Sequence, residues 1–554
     1  MILSGADIIV KTLIEQGCDV VFGYPGGQIL DVYDSLYKHE NEITHVLSAH
    51  EQGAAHAADG YARASGKTGV VISTSGPGAT NLVTGIATAH LDSVPMVVIC
   101  GNVATSQIGT DSFQEIDITG ITLPITKHNY FVSDVSELAD TIREAFVIAQ
   151  SGRPGPVLID VPKDVQTAMW EYIKADPIKK AEPMAAKQMR IVEAANYINT
   201  SKRPYIYFGG GIISANAQKQ MLELAEKIDA PMGCSMMGLA SIDTNEERFL
   251  GMQGMHGNFA SSMAMHNADC IIALGVRFND RVTGNRERFA SGASIVHIDV
   301  DGSELSKNVD ALGLRGDLKP TLSELLKLVN ESKKPQWQEQ IKSLKEEELL
   351  YTDVRSSLTP RNAILTLNRY LNDDMCVATD VGQHQMWTVQ NLSFSKNRSF
   401  ATSGGLGTMG YGLGAAIGQF FATKKHSVLI TGDGSFGMSL NELATAVTYN
   451  VPVLILIMNN SVLGMVRQWQ TMFFNKRYSN TTLDRKTDFT ALAKAFGANG
   501  EKVDTLGALE NAIKKGISYN GPYIIDCTID KDEVVLPMLP PGGSTDDIIL
   551  EEGK

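Results

Sequence analysis

At 554 residues the chain is too long for one core, since single domains stop growing near about 250–300 residues, and a composition 43% hydrophobic and 20% charged with 51 glycines leaves little room for disorder. The net charge of −14 is unbroken by any basic block, which argues against DNA or RNA as a partner. Six scattered cysteines with no C-x-x-C pair argue against a disulfide framework or a zinc cage and point to a reduced, cytoplasmic protein.

The N-terminus reads as helical from the start, through Ile8, Leu13 and Ile14, and lacks the pattern of a secretory signal. Apolar, β-branched runs closed by Gly, Pro or Asp follow at 69–74, 96–100, 156–160, 205–208, 270–274, 295–299, 427–431, 453–458 and 523–526. Such runs, separated by helical stretches, predict parallel sheets covered on both faces, a doubly wound α/β fold. All fall far short of the roughly 20 residues of a membrane-crossing helix, so no membrane span is expected. Two charged stretches, 171–190 and 331–356, interrupt the pattern, and the second reads as a solvated surface helix. They divide the chain into segments 1–170, 190–330 and 357–530, leaving 531–554 as a tail able to cover a site. The stretches 86–95 (IATAHLDSVP) and 443–452 (LATAVTYNVP) share Ala, Thr, Ala, Val and Pro in register. So do 155–164 (GPVLIDVPKD) and 521–530 (GPYIIDCTID), with Gly, Pro, Ile and both Asp in common. Two matches in the same order predict three domains, the first and third related by duplication.

In the first segment Glu51 lies in 49–64 (AHEQGAAHAADGYARA), directly after the alternating run 43–47 (ITHVL). By its residues alone it is either an acid favoured at a helix N-terminus or an acid–base residue. The zinc pattern H-E-x-x-H fails, because the next histidine is His56. In the central segment Gly209-Gly210-Gly211 follows the run 205–208, a weak hint of dinucleotide binding. In the last, Gly432-Asp433-Gly434 closes one run and Asn459-Asn460 closes the next. Parallel strands joined by one helical crossover end on the same edge, so Asp433 and Asn460 can face one ligand. A carboxylate and an amide oxygen suit Mg²⁺, which takes its other ligands from phosphates and water. Gly432, Gly434 and the helix start beyond them let backbone N–H groups approach a diphosphate.

This arrangement resembles the signature of thiamine diphosphate (ThDP) enzymes. Residues 22–27 (FGYPGG), 50–54 (HEQGA) and 73–81 (STSGPGATN) resemble consecutive motifs of the acetohydroxyacid synthases, a similarity that extends over nearly the whole chain. The resemblance implies decarboxylation of pyruvate on ThDP and transfer of the hydroxyethyl unit to a second pyruvate or to 2-oxobutyrate. The products are then 2-acetolactate and 2-aceto-2-hydroxybutyrate, on the route to branched-chain amino acids. It implies that Glu51 activates ThDP held by the partner subunit by hydrogen-bonding its aminopyrimidine, with Tyr24, Pro25, Gly26 and Asn81 at the same cofactor. Mg²⁺ falls to Asp433, Asn460 and Val462. The rest of ThDP falls to Val381, Gly382, Gln383 and His384 (VGQH), Gly407 and Met409 in 403–410 (SGGLGTMG), Gly432, Gly434, Ser435, Gly464 and Met465. Met409 is similar to the bulky residue that bends ThDP into a V, and Gly407 to the acceptor of its amino group. Arg281 in 275–284 (GVRFNDRVTG) resembles the arginine that grips the second oxo acid's carboxylate, the alternative being a surface pair with Asp280. Trp469 in 464–470 (GMVRQWQ) resembles the tryptophan that shapes the acceptor pocket, the alternative being core packing. Gln114 and Lys163 match further site or channel positions.

The same resemblance places FAD, without a redox step in turnover, on Arg153, Gly209, Gly210, Gly211, Gly254, Met255, His256, Gly275, Arg277, Asp299, Val300 and Asp317. It implies a homodimer or tetramer with active sites between subunits, and a small regulatory subunit as a further partner. Gln28, Asn279 and Gly414 depart from the family's usual Ala, Asp and Pro, which bears on inhibitor sensitivity at the first and a flavin contact at the second. A ThDP- and FAD-dependent pyruvate oxidase is the nearest alternative. An NAD-dependent dehydrogenase built on Gly209–Gly211 would leave Glu51, Asp433 and Asn460 unexplained.

Overall fold

All the apolar runs named above form strands, and every one belongs to a six-stranded parallel sheet with helices between its strands. The computed structural model describes residues 1–178 and 181–551; positions 179–180 of the first charged stretch and 552–554 of the tail lie outside them. Each sheet is apolar on both faces, as strands flanked by helices on either side must be. Met96–Asn102, for instance, is buried at every position.

The first domain holds β1 (Ile2–Ser4), β2 (Val20–Tyr24), β3 (Thr44–Leu47), β4 (Gly69–Ser73), β5 (Met96–Asn102), β6 (His128–Phe131), β7 (Pro156–Pro162) and β8 (Met169–Glu171). Its sheet runs β3-β2-β4-β5-β7-β6. The expectation of a helix from the first residue is corrected here. Ile2–Ser4 pairs antiparallel with Met169–Glu171, and the helix Gly5–Glu15 begins only after Ser4, whose side chain accepts the Asp7 N–H as an N-cap.

The central domain comprises β9 (Pro204–Phe208), β10 (Met232–Cys234), β11 (Phe249–Met252), β12 (Cys270–Leu274), β13 (Ser294–Asp299) and β14 (Leu312–Arg315), in the order β11-β10-β9-β12-β13-β14. The charged stretch 331–356 contains the expected helix, Pro335–Leu350. It is a cover rather than a free helix. Trp337, Ile341 and Leu344 are buried on one side, and the Trp337 indole N–H donates to the Pro204 carbonyl at 3.0 Å.

The third domain contains β15 (Cys376–Thr379), β16 (Phe400–Ala401), β17 (Ser427–Gly432), β18 (Val453–Asn459), β19 (Asn499–Val503) and β20 (Tyr523–Thr528), ordered β16-β15-β17-β18-β20-β19. Strand for strand, this is the topology of the first domain, as duplication predicts. Helices that follow equivalent strands, Glu51–Ser65 after β3 and Gly412–Thr423 after β16, pack against each other. Glycines set their separation. A Cβ on Gly60 would lie 2.7 Å from Ala415 Cα, and one on Gly414 would lie 2.8 Å from both the Gly53 carbonyl oxygen and His56 Cβ. The Gly414 departure thus falls where two backbones meet.

Beyond β20 the tail crosses to the central domain. The Leu539 N–H donates to the Met255 carbonyl and the Asn285 N–H to the Gly543 carbonyl, each at 2.8 Å. Arg288 pairs with Asp546 at 3.0 Å and Asp547 at 2.9 Å. All six cysteines are buried and unpaired. Among the described residues no helix is long and apolar enough to cross a membrane.

Candidate active site

At the carboxyl edge of the first sheet, His50 caps the helix Glu51–Ser65 by accepting the Gln52 N–H on its ring at 3.1 Å. This fixes Glu51 in the first helical turn, where its buried carboxylate accepts a hydrogen bond from the Asn81 amide at 2.9 Å. Asn81 follows the turn after β4, in which Gly76 has φ +58° and a Cβ would lie 2.8 Å from that of Gln114. Only glycine tolerates both conditions. Gly26 abuts Thr74, where a Cβ would lie 2.6 Å from the Thr74 Cβ. Lys163 reaches the Gly27 carbonyl at 3.2 Å and pairs with Asp31. Tyr24, Leu30, Leu47 and Phe113 are exposed around this edge, Phe113 to 83%.

At the matching edge of the third sheet, β17 ends at Gly432 and Asp433 opens the helix Asp433–Ser439. Burial pushes the Asp433 carboxyl up to about 6, opposed by N–H groups that include those of Gly434 and Asn460. A carboxylate so removed from water gains from a cation at its side. The Asn460 amide oxygen accepts the Val462 N–H at 3.3 Å across a turn with Ser461 at φ +56°. Asp433, Asn460 and the Val462 backbone therefore converge on one turn pair, and their oxygen chemistry fits Mg²⁺.

The residues expected at a diphosphate crowd the same place. His384 is buried with Nε2 unpartnered, and burial holds its ring at about 3, hence neutral. A Cβ on Gly432 would stand 3.0 Å from its Nδ1. The Ser435 hydroxyl donates to the Val381 carbonyl at 3.0 Å. Gly464 leaves space that a Cβ would fill, 3.0 Å from the Asn460 amide nitrogen and against Gln383. Gly407 takes φ +73°, and Met409 stands over the Gly432–Gly434 turn, with its Cε 3.8 Å from where a Gly434 Cβ would be. Gln468 was not read from the sequence. It receives the Gln383 amide at 3.0 Å and the Val535 N–H at 2.8 Å, tying Gln383 to the tail.

A cleft of about 2030 Å³ runs along the central domain and reaches Val381, whose carbonyl accepts the Ser435 hydroxyl of this turn system. It is lined by Gly210, Gly211, Gly254, Met255, His256, Gly275, Arg277, Asp299, Val300 and Asp317, by Arg153 of the first domain, and by Val381, Gly407, Met465 and Trp469 of the third. Gly209 lies beneath the lining. A Cβ there would meet Val276 Cα at 2.9 Å, and one on Gly211 would meet Gly275 Cα at 2.6 Å, so these glycines let two loops touch at the strand ends. Burial raises the Asp299 carboxyl to about 6. The Tyr207 hydroxyl and His256 Nδ1 are buried without partners. Size and unpartnered polar atoms fit a dinucleotide such as FAD.

Where the cleft nears the third domain, the Arg281 guanidinium lies 6.0 Å from the centre of the Trp469 ring and 3.5 Å from Met255 Sδ. Its pair with Asp280 is long, at 3.8 Å, and exposed. Trp469 is half-buried, lines the cleft and packs against the small apolar cluster of Met255, Met538 and Leu539. Like Asp433 and Asn460, the first-domain residues Glu51, Asn81, Tyr24 and Gln114 do not line this cleft. Among the described residues no hydrogen bond or ion pair joins them to Asp433 or Asn460.

Three family models of thiamine pyrophosphate enzymes match the chain, thiamine pyrophosphate (TPP) being another name for ThDP. The N-terminal TPP binding domain covers residues 3–121, the central domain 191–325 and the C-terminal TPP binding domain 380–527. The chain is 44% identical to the acetolactate synthase large subunit of Buchnera aphidicola subsp. Schizaphis graminum, over 100% of this chain and 99% of that protein. It is 41% identical to the isozyme 3 large subunit of Escherichia coli K12 over 99% of each chain, and 42% identical to the isozyme 2 large subunit of that organism over 99% of each. The chain belongs to the acetolactate synthase large-subunit family. For an acetolactate synthase-type chain, each of the three models falls on one of the three sheets, and both TPP-binding models include an edge described above.

Proposed function

We propose that the protein is the catalytic subunit of an acetohydroxyacid (acetolactate) synthase, joining the two-carbon unit left by decarboxylation of pyruvate to a second pyruvate or to 2-oxobutyrate. The observation that carries this reading is the meeting of Arg281 with Trp469 on the cleft that also takes in Val381, Gly407 and Met465. A guanidinium beside a flat apolar face suits an oxo acid, whose carboxylate pairs with the cation while its short chain lies on the ring. ThDP, when bound, supplies the acidic thiazolium carbon and the electron sink that decarboxylation needs.

The protein's own groups then have distinct tasks. Asp433, Asn460 and the Val462 carbonyl would hold Mg²⁺ against the diphosphate, and Gly382, Gln383, His384, Gly432, Gly434, Ser435 and Gly464 would cradle it. Glu51 keeps one carboxylate oxygen on Asn81 and offers the other to the aminopyrimidine ring nitrogen, where it can hold a proton. Among the described residues no hydrogen bond or ion pair joins Glu51 to Asp433 in one chain, and a site shared between subunits, in which Glu51 faces Asp433 of the partner subunit, gives both acids a place at one cofactor. Exposed Tyr24, Leu30, Leu47 and Phe113 around Glu51 support the same assembly, a homodimer or a tetramer. Tyr24, Pro25, Gly26, Gln114 and Lys163 would complete its first-domain side. The central cleft, with Arg153 at its first-domain wall, would hold FAD without a redox step. Residues 1–170, 190–330 and 357–530 would be the pyrimidine, flavin and diphosphate domains, and 531–554 a cover over the site. A small regulatory subunit and a cytoplasmic location complete the reading.

Purified protein supplied with pyruvate, Mg²⁺ and ThDP should form acetolactate, and none without ThDP. Oxygen uptake matching pyruvate consumption would instead make it an oxidase. Choice of acceptor tests the Arg281–Trp469 pair. 2-Oxobutyrate exceeds pyruvate by one methylene, which a hydrophobic pocket converts into about 1–3 kcal/mol. Trp469→Leu should lower the preference for 2-oxobutyrate several-fold in a competition assay, and Arg281→Ala should impair both products together. An unchanged product ratio in Trp469→Leu would return that ring to a packing role.

A further inference from the structure

We propose that Asp92 is a positioning residue, whose buried carboxylate clamps the Gly404–Met409 loop in the shape that receives the aminopyrimidine half of ThDP. This rests on the reading above, which gives Gly407 and Met409 to that half of the cofactor.

Asp92 ends the helix Val83–Asp92 of the first domain, and its side chain is fully buried. It accepts three hydrogen bonds: from the Gly405 N–H at 2.7 Å, the Gly404 N–H at 3.0 Å and the Arg63 guanidinium at 2.9 Å. Arg63 also binds Asp59 at 2.6 Å, and Asp59 accepts the Tyr411 hydroxyl at 2.5 Å. One charge network thus ties both ends of the 404–411 segment to the first domain, and Gly407 and Met409 lie between the ties. The Thr408 hydroxyl meets that of Thr88 at 2.9 Å, a third tie in the middle.

The segment needs such ties. Gly404, Gly405, Gly407 and Gly410 make it conformationally loose in isolation, with Gly407 and Gly410 at φ +73° and +88°. Ordering it on cofactor binding would weaken affinity, whereas a loop already clamped binds without that loss. The two glycines at the clamp are there for contact. A Cβ on Gly405 would lie 2.9 Å from Asp92 Oδ1 and 2.9 Å from Leu91 Cβ.

The duplication supplies independent support. In the register of 86–95 with 443–452, the counterpart of Asp92 is Tyr449. Its hydroxyl accepts the Leu47 N–H at 2.8 Å, at the end of β3 just before Glu51. Each copy therefore reaches, from the same position, to the segment that bears a cofactor residue in the other copy.

Asp92→Asn tests the clamp in the holoenzyme, because an amide offers one acceptor oxygen to three donors. Hydrogen bonds to a charged group are strong enough that ThDP affinity should fall about ten- to hundredfold. The apoprotein should still fold, because Asp59 keeps Arg63 paired. The near-ultraviolet circular-dichroism band of bound ThDP should change, as a merely structural contact would not make it do. If Asp92→Asn fails to fold, Gly405→Ala, which keeps the buried charges, decides by the same measurements. Unchanged ThDP affinity in whichever variant folds would overturn the proposal. So would a loss of ThDP that only follows a collapse of Tm in both variants, which would make Asp92 a plain structural ion pair. Met409→Ala separates the two readings: if it weakens ThDP while Asp92→Asn does not, only the clamp falls, and if it leaves ThDP binding untouched, the loop assignment falls with it.

Discussion

In the third domain the turn after β17 is Gly432-Asp433-Gly434; at the same place in the first domain, after β4, the chain runs Ser73-Thr74-Ser75-Gly76. The strands beneath have kept even a polar detail. The Asn102 amide donates to Asp160 at 2.7 Å across β5 and β7, and the Asn459 amide to Asp526 at 2.8 Å across β18 and β20. Burial raises both carboxyls, Asp160 to about 7. The sheets have thus stayed alike inside while their turns have parted, one towards a buried carboxylate at a helix start and the other towards a glycine turn that leaves the acid to the preceding helix. On the proposed reading, chemistry of opposite kinds, cation binding and proton holding, sits on one scaffold through changes in its loops.

Breaking each copy in turn should expose that division. Asp433→Ala should have the largest effect: loss of a cation that holds the diphosphate is worth several kcal/mol, or about a thousandfold in ThDP affinity, measurable by titration of the apoenzyme. Glu51→Gln should leave ThDP binding intact and lower turnover by about 10²–10⁴. Near-normal C2 hydrogen–deuterium exchange of the bound cofactor would refute the Glu51 role. Mixing the two inactive variants should restore part of the activity, since a mixed dimer has one site with both residues intact. No recovery after proven subunit exchange would rule out the shared site.

Stability offers a finer comparison. Because the folded-state pKa of Asp160 lies above the ordinary carboxylate value, its contribution to stability is complete below about pH 4 and is lost as pH rises through about 7. Asp160→Asn cannot ionise, so its Tm relative to the parent should climb across that window, by the equivalent of about 2–4 kcal/mol. Asp526→Asn should tilt the same way; an opposite slope would end the equivalence of the two pairs. The smallest effect concerns the helices between the copies. Gly414→Ala would press a Cβ onto the Gly53 carbonyl and His56, and should destabilise by about 1–3 kcal/mol in denaturant melts.

Much of this architecture is legible in the chain because central strands buried on both faces must be continuously apolar, as 96–100 and 453–458 are. The edge strands are not. Asn499–Val503 reads NGEKV and has one neighbour, so solvent-facing charge hides it. Asp433 and Asn460 could be picked out because a local motif marks each strand end. Asp92 could not, because its partners Gly404 and Gly405 lie in another domain, and no spacing announces a contact that only tertiary packing creates. Glu442 is a similar case, a buried carboxylate from the third domain that accepts the Ala49 N–H at 3.2 Å beside the Glu51 helix. The shared site was reached through resemblance alone, since no local spacing links Glu51 to Asp433.

The six buried thiols have a practical consequence. Cys18 and Cys100 belong to the first domain, Cys234 and Cys270 to the central one, Cys376 and Cys527 to the third. Burial lifts Cys100 to about 12 and Cys376 to about 11, so at neutral pH the reactive thiolate is scarce even before access is considered. A thiol reagent will therefore find the folded chain silent and label a cysteine only when the sheet around it opens. With two cysteines in each domain, mass spectrometry of timed labelling would turn the native sequence into three stopwatches, each recording how often its own domain comes apart.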